Sequence, residues 1–433
     1  MSNAPKVIAD PVYGIIDIRP VLPMVEAPEF QALGDKRQLG MAYLTFPSAT
    51  HSRKAHSIGS YHATRELADR WVKNGTITAK EADALAGYAL YHDIGHPAFS
   101  HVTEPLCPPP AGSKGMSVNS ALSLEVIRRR KKEIEACGID FALMEKIARH
   151  ENPLHLAVSD KNLGMEKLDY LERDGALTIL SRPIGVDYLR HHIYFANNTL
   201  AIDEKVVDNA IEMQNFYLKM YKNVYLRKTS AIAQRMMQKL THGLIAAREL
   251  DPVDLANLTD SELIGMMRVS KSPRVMKLYD LLKRRELFRE AIVIKPEAFA
   301  GAETQPKKAV TTLAANSVEL RHLIKAPVLQ SANQAGLAAV EDMIAREAGL
   351  PEDSVLVTPI TTPERFEAQD ILIYRGENER LASLKERYPA HFKNIEEVGQ
   401  TYLAFRVCTT EEHRKKLAEP KMAAHVFALL RKA

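Results

Sequence analysis

The stretch YHDIGHPAFSH, residues 91–101, decides how this chain is interpreted. Its adjacent His92 and Asp93 offer one nitrogen and one oxygen ligand at a single point of the backbone. That combination suits a borderline divalent metal such as Mn, Fe, Co or Zn. Two other segments share this chemistry, RKAHSIG at 53–59 and GMEKLDYLERD at 164–174. The three segments together predict one metal site built from a His, a His-Asp pair and a later acidic residue.

The order and spacing of these motifs resemble those of the HD-domain phosphohydrolases, and among them the deoxynucleoside triphosphate triphosphohydrolases. The string GHPAFSH at 95–101 is the most specific part of the match. The likeness runs from VIADPVYG at 7–14, through FPSATHSR at 46–53, to GAETQP at 301–306. The resemblance implies a helical core, a bound divalent metal and hydrolysis of a nucleotide.

Composition limits the class of protein. At 433 residues, the chain can bury one large core or two domains, and its net charge of +4 gives no support for nucleic-acid binding by the whole chain. Cys107, Cys137 and Cys408 lack metal-binding spacing and indicate free thiols in a reducing compartment. No apolar run reaches the roughly 18–20 residues that span a bilayer, and the first residues lack a signal-peptide pattern. A soluble cytoplasmic protein is expected.

The fold class expected is mainly α, an all-α HD-domain helical core with a small C-terminal α+β lobe. Three units are expected: an N-terminal extension with short strands over 1–50, an HD phosphohydrolase domain over 51–285, and the α+β lobe over 286–433. Apolar periodicity and capping signals predict helices at 56–74, 79–93, 117–137, 140–149, 164–180, 205–222, 226–248, 259–268, 272–285, 331–348 and 410–431. Strands are predicted at 15–18, 291–295, 354–358, 370–374 and 402–407.

The metal ligands are expected from three helices. His56 falls in the first turn of one helix, and His92 and Asp93 end another, where both side chains can turn toward one ion. The family carries Asp-x-x-Asp-Tyr in the third segment, but this chain has Glu166 at the first position. Asp169, three residues later and close to the same face, is a rival ligand. Glu166 is preferred as the ligand because the resemblance gives the second Asp of the motif a structural role. The side chain of Glu166 is longer than that of the family's Asp, which leaves the identity of the metal open.

Two further histidines are candidates for proton transfer. His96 and His101 follow the ligand pair, and the histidine side chain titrates near neutral pH. The resemblance implies that both contact the phosphates, that His101 protonates the leaving 5′ oxygen, and that Glu104 orients His101. Water would attack the α-phosphorus, since a bound metal polarises a phosphoryl oxygen and activates water.

The resemblance also implies a pocket shaped for a nucleotide, in which Mg could accompany the phosphates. It further implies a homo-oligomer, a dimer or a tetramer. The residues expected to contact the substrate are Gln38 at the sugar, Arg53 and Lys167 at the phosphates, Tyr170 and Asp174 at the deoxyribose and its 3′-hydroxyl, and Tyr225 at the base.

Several positions depart from the family pattern. Asn119-Ser120 replaces a His-Glu pair, and Tyr217 stands near the position of an Arg that clamps the triphosphate. Glu26 and Gly34 stand near an Asp and an Arg that read a guanine effector. Two alternatives therefore stay open: hydrolysis of a monophosphate, cyclic or modified nucleotide, or binding of a nucleotide or nucleic acid without turnover. The basic run RRRKK at 128–132 is typical of a solvated helix face and lacks the aromatic residues of a single-strand binding surface.

Overall fold

The structure, a computed structural model, describes residues 6–113, 115–301, 309–360, 366–376 and 381–433. Residues 302–306 of the family-like string GAETQP lie outside the described residues. The described chain is mainly helical, with one hairpin and two small sheets, which confirms the expected fold class.

The helices of the body are α1 (Leu22–Val25), α2 (Pro28–Ala32), α3 (Arg53–Lys73), α4 (Ala79–Tyr91), α5 (Val118–Arg129), α6 (Lys131–Ala136), α7 (Phe141–Ala148), α8 (Leu156–Ser159), α9 (Met165–Thr178), α10 (Val186–His191), α11 (Val207–Met220), α12 (Lys228–Ala246), α13 (Asp260–Val269) and α14 (Pro273–Lys283). Those of the C-terminal lobe are α15 (Glu297–Ala300), α16 (Ser317–Lys325), α17 (Gln334–Glu347), α18 (Leu384–Arg387), α19 (Pro389–Gln400), α20 (Arg414–Leu417) and α21 (Pro420–Leu430). The strands are β1 (Val7–Asp10), β2 (Gly14–Asp17), β3 (Ile193–Ala196), β4 (Thr199–Asp203), β5 (Arg289–Pro296), β6 (Thr311–Ala315), β7 (Val355–Thr358), β8 (Leu372–Tyr374), β9 (Ala382–Ser383) and β10 (Phe405–Thr409).

The long helices α3, α4 and α9 position the candidate site. Ser52 begins α3 by accepting the Ala55 N–H, and Thr78 with Glu81 begins α4 as the predicted capping box. Gly59 allows α3 and α9 to approach closely, because a Cβ atom there would lie 2.1 Å from Asp169 Oδ1. The β1–β2 hairpin packs into the same core, so the N-terminal segment supports these helices.

The C-terminal lobe is built on the sheet β6-β5-β10-β7. A buried ion cluster joins it to α12: Arg235 Nη2 donates to Glu341 Oε1 at 3.0 Å, and Lys239 Nζ to Glu341 Oε2 at 2.7 Å. The strand expected at 370–374 is present as β8, but it pairs in parallel with β4 of the body instead of joining the lobe sheet. The chain therefore returns from the lobe to complete a sheet of the body.

Two local predictions were wrong, and one hairpin was missed. The helix expected at 117–137 breaks at Arg130 and forms α5 and α6. The Arg130 guanidinium binds Glu29 and Glu133. Because no Gly or Pro marks the break in the sequence, we attribute the break to these contacts. The helix expected at 410–431 divides before Pro420, which occupies the first turn of α21. The β3–β4 hairpin was missed, although Asn197-Asn198, both with φ above +50°, is a turn signal. None of the described helices is long and apolar enough to cross a membrane.

Candidate metal centre and active site

Three side chains converge at the junction of α3 with the end of α4. His56 Nε2 lies 3.3 Å from His92 Nε2 and 3.7 Å from Asp93 Oδ2, and His92 Nε2 lies 3.5 Å from Asp93 Oδ1. All three residues are buried. They form one of two groups among the described residues whose potential ligand atoms lie within 4.8 Å of one another.

The outer ring nitrogens fix the orientation of both histidines. His56 Nδ1 donates to Asp169 Oδ2 at 2.6 Å, and His92 Nδ1 donates to the Ala89 carbonyl at 2.7 Å. In the neutral ring that donates through Nδ1, the Nε2 lone pair of each histidine faces the other ring, beside a carboxylate. Three electron-pair donors facing each other fit a divalent transition metal, whose His ligands are oriented in this way by oxygen acceptors.

Asp169, the rival fourth ligand, is already engaged. Its side chain accepts from His56 and, at 2.8 Å and 3.1 Å, from Nη2 and Nε of Arg173, whose Nη1 also donates to Asp10 Oδ2 at 2.8 Å. Burial alone would raise the pKa of Asp169, but Arg173 and His56 hold it well below its usual range. Asp169 thus orients His56. Glu166, in the first turn of α9, lies outside the three-residue group, and its role as fourth ligand stays a prediction.

Asp93 is held by cations and amides around the group. Arg53, buried, donates to Asp93 through Nη1 and to Ser100 Oγ through Nε at 2.5 Å. Burial would raise the pKa of Asp93, but Arg53 and the neighbouring histidines lower it. Asn119, at a departure from the family pattern, places Nδ2 3.5 Å from Asp93 Oδ1. Arg53 was predicted to bind phosphate. In the structure its guanidinium instead binds Asp93, a candidate metal ligand.

His96, His101 and Glu104 form the second group. His101 is 73% exposed, and its Nδ1 donates to Glu104 Oε2 at 2.7 Å. The His96 ring lies 4.7 Å from the His101 ring, and burial lowers the pKa of His96 to about 3. Burial would raise the pKa of Glu104, but the hydrogen bond from His101 lowers it to about 2. The exposed imidazole is therefore fixed by an ionised carboxylate beside the buried metal ligands.

A third group surrounds Asp174 on α9. Its Oδ2 accepts from the Tyr225 hydroxyl at 2.8 Å and its Oδ1 from His51 Nε2 at 2.7 Å. His51 Nδ1 and Gln38 Oε1 are buried and have no hydrogen-bond partner. Both atoms can accept a hydrogen bond from a hydroxyl donor. His51 was missed by the sequence analysis, although it lies in the family-like string FPSATHSR.

Lys167 and Tyr170 line a cavity of about 430 Å³ together with Glu166. The Tyr170 ring lies 6.3 Å from the ring of His56. Lys167 donates to the Lys161 carbonyl and places Nζ 3.8 Å from the centre of the Tyr217 ring. Burial lowers the pKa of Lys167 to about 8. The structure therefore brings Lys167 and Tyr170 to the site, with the ammonium group directed at Tyr217.

Comparison with known proteins agrees with this geometry. The HD domain family matches residues 53–174, and the HD associated region matches residues 184–318. The chain therefore contains an HD domain followed by an HD-associated region. In this HD domain, His56, His92 and Asp93 are the side chains that would hold a divalent metal.

Relatives of the HD domain are found in distant organisms. The chain is 29% identical over 296 residues to the HD domain-containing protein L394 of Acanthamoeba polyphaga mimivirus, covering 61% of this chain and 64% of that protein. It is 25% identical over 298 residues to the deoxynucleoside triphosphate triphosphohydrolase SAMHD1 homolog of Dictyostelium discoideum, covering 64% and 58%. A phosphohydrolase from Bacteroides thetaiotaomicron has the same fold, with a TM-score of 0.67, 21% identity and coverage of 94% and 100%. The chain thus spans less than two thirds of these two curated relatives.

Proposed function

We propose that this protein hydrolyses deoxynucleoside triphosphates to deoxynucleoside and triphosphate. The observation that carries the proposal is the position of two groups on α9. Asp169 holds the candidate metal ligand His56, and Asp174, five residues later and about 7.5 Å along the helix, anchors the group with the unpaired hydrogen-bond acceptors. A sugar hydroxyl at Asp174 would leave the phosphate end of the nucleotide near the metal ligands.

The residues around the phosphate have separate tasks. His56, His92 and Asp93 would hold a divalent ion, which would supply polarisation of a phosphoryl oxygen and activation of water. Arg53 fixes the Asp93 carboxylate. His101, held by Glu104, delivers a proton to the leaving 5′ oxygen as the P–O bond breaks, because its exposed ring can meet the substrate.

Loss of the proton donor should slow the chemical step. We expect His101→Gln to lower kcat by about 100-fold, in the range typical of a general acid, with a small effect on KM. Glu104→Gln should lower kcat less, because the imidazole remains but loses its orienting carboxylate. Steady-state kinetics on dATP measure both effects. An unchanged kcat in His101→Gln would remove this residue from the proposed mechanism.

Loss of the substrate's 3′-hydroxyl should weaken recognition at Asp174. A hydrogen bond to a charged group contributes roughly 1.5–3 kcal/mol, so 2′,3′-dideoxy-ATP should show kcat/KM about 10- to 100-fold below that of dATP. In Asp174→Asn, the kcat/KM values for dATP and for dideoxy-ATP should differ less. Equal rates on dATP and dideoxy-ATP in the unaltered protein would argue against a sugar site at Asp174.

Product analysis tests the proposed function directly. The purified protein is incubated with each dNTP and with GTP in Mg, Mn, Fe and Co, and the products are separated by ion-pair chromatography. We expect deoxynucleoside and triphosphate in equal amounts. Orthophosphate or a monophosphate would instead indicate another phosphohydrolase activity, and no product with metal bound would indicate a binding protein.

A different phosphate ester is the second candidate. The cavity beside the site is lined by Asp160, Glu166 and Glu367 against Lys161 and Lys167, so its carboxylates outnumber its ammonium groups. A triphosphate carries several negative charges, and like charges repel at such distances. This lining favours a substrate with less charge at its phosphate end.

A further inference from the structure

The cavity of about 430 Å³ lies between α9, the end of α11 and the lobe segment 366–369. Its volume is within the range of about 300–1000 Å³ typical of small-molecule sites. Its wall includes Glu166, the predicted fourth metal ligand, and Tyr170, whose ring lies 6.3 Å from the ring of His56. A part of the substrate that binds in this cavity would therefore be joined to the rest of the molecule near the phosphate that is cleaved.

Aromatic rings form much of the wall. Tyr170, Tyr217, Tyr221 and Phe366 line the cavity. The Tyr217 and Tyr221 rings lie 4.6 Å apart, and the Tyr221 and Phe366 rings lie 5.5 Å apart. Flat aromatic surfaces bind nucleobases of any sequence by stacking, which contributes roughly 1–3 kcal/mol per base.

Amide side chains fix the polar part of the wall. Gln214 Nε2 donates to Asn162 Oδ1 at 3.2 Å and to the Gln369 carbonyl at 3.1 Å, and Asn162 Nδ2 donates to the same carbonyl at 2.9 Å. These bonds tie the body to the lobe, so the cavity is largely preformed. Binding to a preformed site loses less conformational entropy, because the site is already ordered. This arrangement therefore suits a rigid planar group.

The charges of the lining disfavour a polyanion. Lys167 is directed at the Tyr217 ring and the Lys161 carbonyl. The nearby carboxylates of Asp160 and Glu166 would repel terminal phosphates. An uncharged heterocycle avoids this repulsion and can stack on the rings.

We infer that the cavity binds the base of a second nucleoside, joined through phosphate to the deoxynucleoside that is released. The inference rests on the proposed function, because the same bond is cleaved. The oxygen of water forms a bond to the phosphorus, the P–O5′ bond breaks, and the proton passes to O5′. The products are a deoxynucleoside and a nucleoside mono- or polyphosphate.

A comparison of substrates within one enzyme tests the inference. The release of deoxyadenosine is measured from dATP and from compounds in which two deoxyadenosines are joined through a mono-, di- or triphosphate. We expect kcat/KM for at least one joined compound to exceed that for dATP by about 10-fold. This factor corresponds to the stabilisation that one stacked base provides. Tyr217→Ala should bring this ratio close to one, whereas Tyr217→Phe, which keeps the ring, should preserve it.

Three results would overturn the inference. The first is a ratio of one or less for every joined compound in the unaltered protein. The second is an unchanged ratio in Tyr217→Ala. The third is an equal loss on dATP and on the joined compounds, which would place the base of dATP itself in the cavity.

Binding separates this inference from the proposed function. If no deoxyadenosine is released from any compound, the proposed function fails, but the cavity can still be tested by calorimetric titration of the best-soluble joined compound. About 10-fold weaker binding in Tyr217→Ala than in Tyr217→Phe would support the cavity as a base site. Equal affinities would overturn it.

Discussion

His92→Ala is expected to reduce hydrolysis of dATP by about 1000-fold and to abolish stoichiometric metal binding. The ring supplies one of three convergent ligand atoms, and a metal ion contributes several kcal/mol of transition-state stabilisation. The change should leave the fold intact, because among the described residues the hydrogen bonds of the ring are to the Ala89 carbonyl and to the His56 ring. Metal content by mass spectrometry of the purified protein and the initial rate on dATP measure the two effects.

Asp93 requires a different design from His92. Arg53 is buried against Asp93, so Asp93→Ala would leave a buried charge without its carboxylate, at a cost of roughly 3–5 kcal/mol. Asp93→Asn keeps an oxygen near Arg53, so it is the better second variant to compare with His92→Ala. A folded His92→Ala protein that binds metal with unchanged affinity would contradict the three-residue site.

Gly59→Ala is expected to lower the free energy of unfolding by about 3 kcal/mol, against the usual preference of helices for alanine. A Cβ atom at this position would lie 2.1 Å from Asp169 Oδ1 and 2.3 Å from Arg173 Nη2. The buried Asp169–Arg173 ion pair of α9, which faces Gly59 of α3, would have to shift or separate, and both overpacking and a strained buried pair are destabilising. Because Asp169 orients His56, metal affinity should also fall, by about 10- to 100-fold.

Gly265→Ala is the matched control. Gly265 also lies inside a helix, α13, but an added Cβ would have nothing within 4 Å. Alanine there should raise the free energy of unfolding by up to about 1 kcal/mol, through helix propensity alone. Denaturant unfolding of both variants gives the comparison. Equal effects at the two positions would show that the contact at Gly59 is relaxed without cost.

Local signals in the sequence were sufficient for the main helices and for the two segments that carry His56, His92 and Asp93. The capping box at Thr78 and Glu81 is a short-range pattern whose structure follows from neighbouring residues. The string at 91–101 is recognisable as a motif, but distant residues such as Arg53 and Asp260 hold its conformation. The mainly α fold with a small C-terminal α+β region was predicted correctly. Assembly into a dimer or tetramer and a cytoplasmic location stay predictions.

Long-range pairing could not be predicted from the sequence. Arg53 reaches Asp93 and His51 reaches Asp174 across the fold, and no spacing rule specifies either contact. The role of Asp169 was open because both acidic positions of α9 could face the metal, and only the positions of His56 and Arg173 show which bonds its carboxylate makes. The lobe residues of the cavity were missed for the same reason.

The return of the chain from the lobe to β4 limits how this protein can be shortened. β8 pairs with β4 in parallel, with Ala201 opposite Leu372 and Ile202 opposite Ile373. A fragment that ends near residue 285 would keep the HD motif but leave β4 with an open edge and exposed backbone groups. Exposed edges of this kind recruit other strands and promote aggregation. Expression trials of the isolated HD segment should therefore yield insoluble material, unless a substitute strand or a charged residue protects that edge.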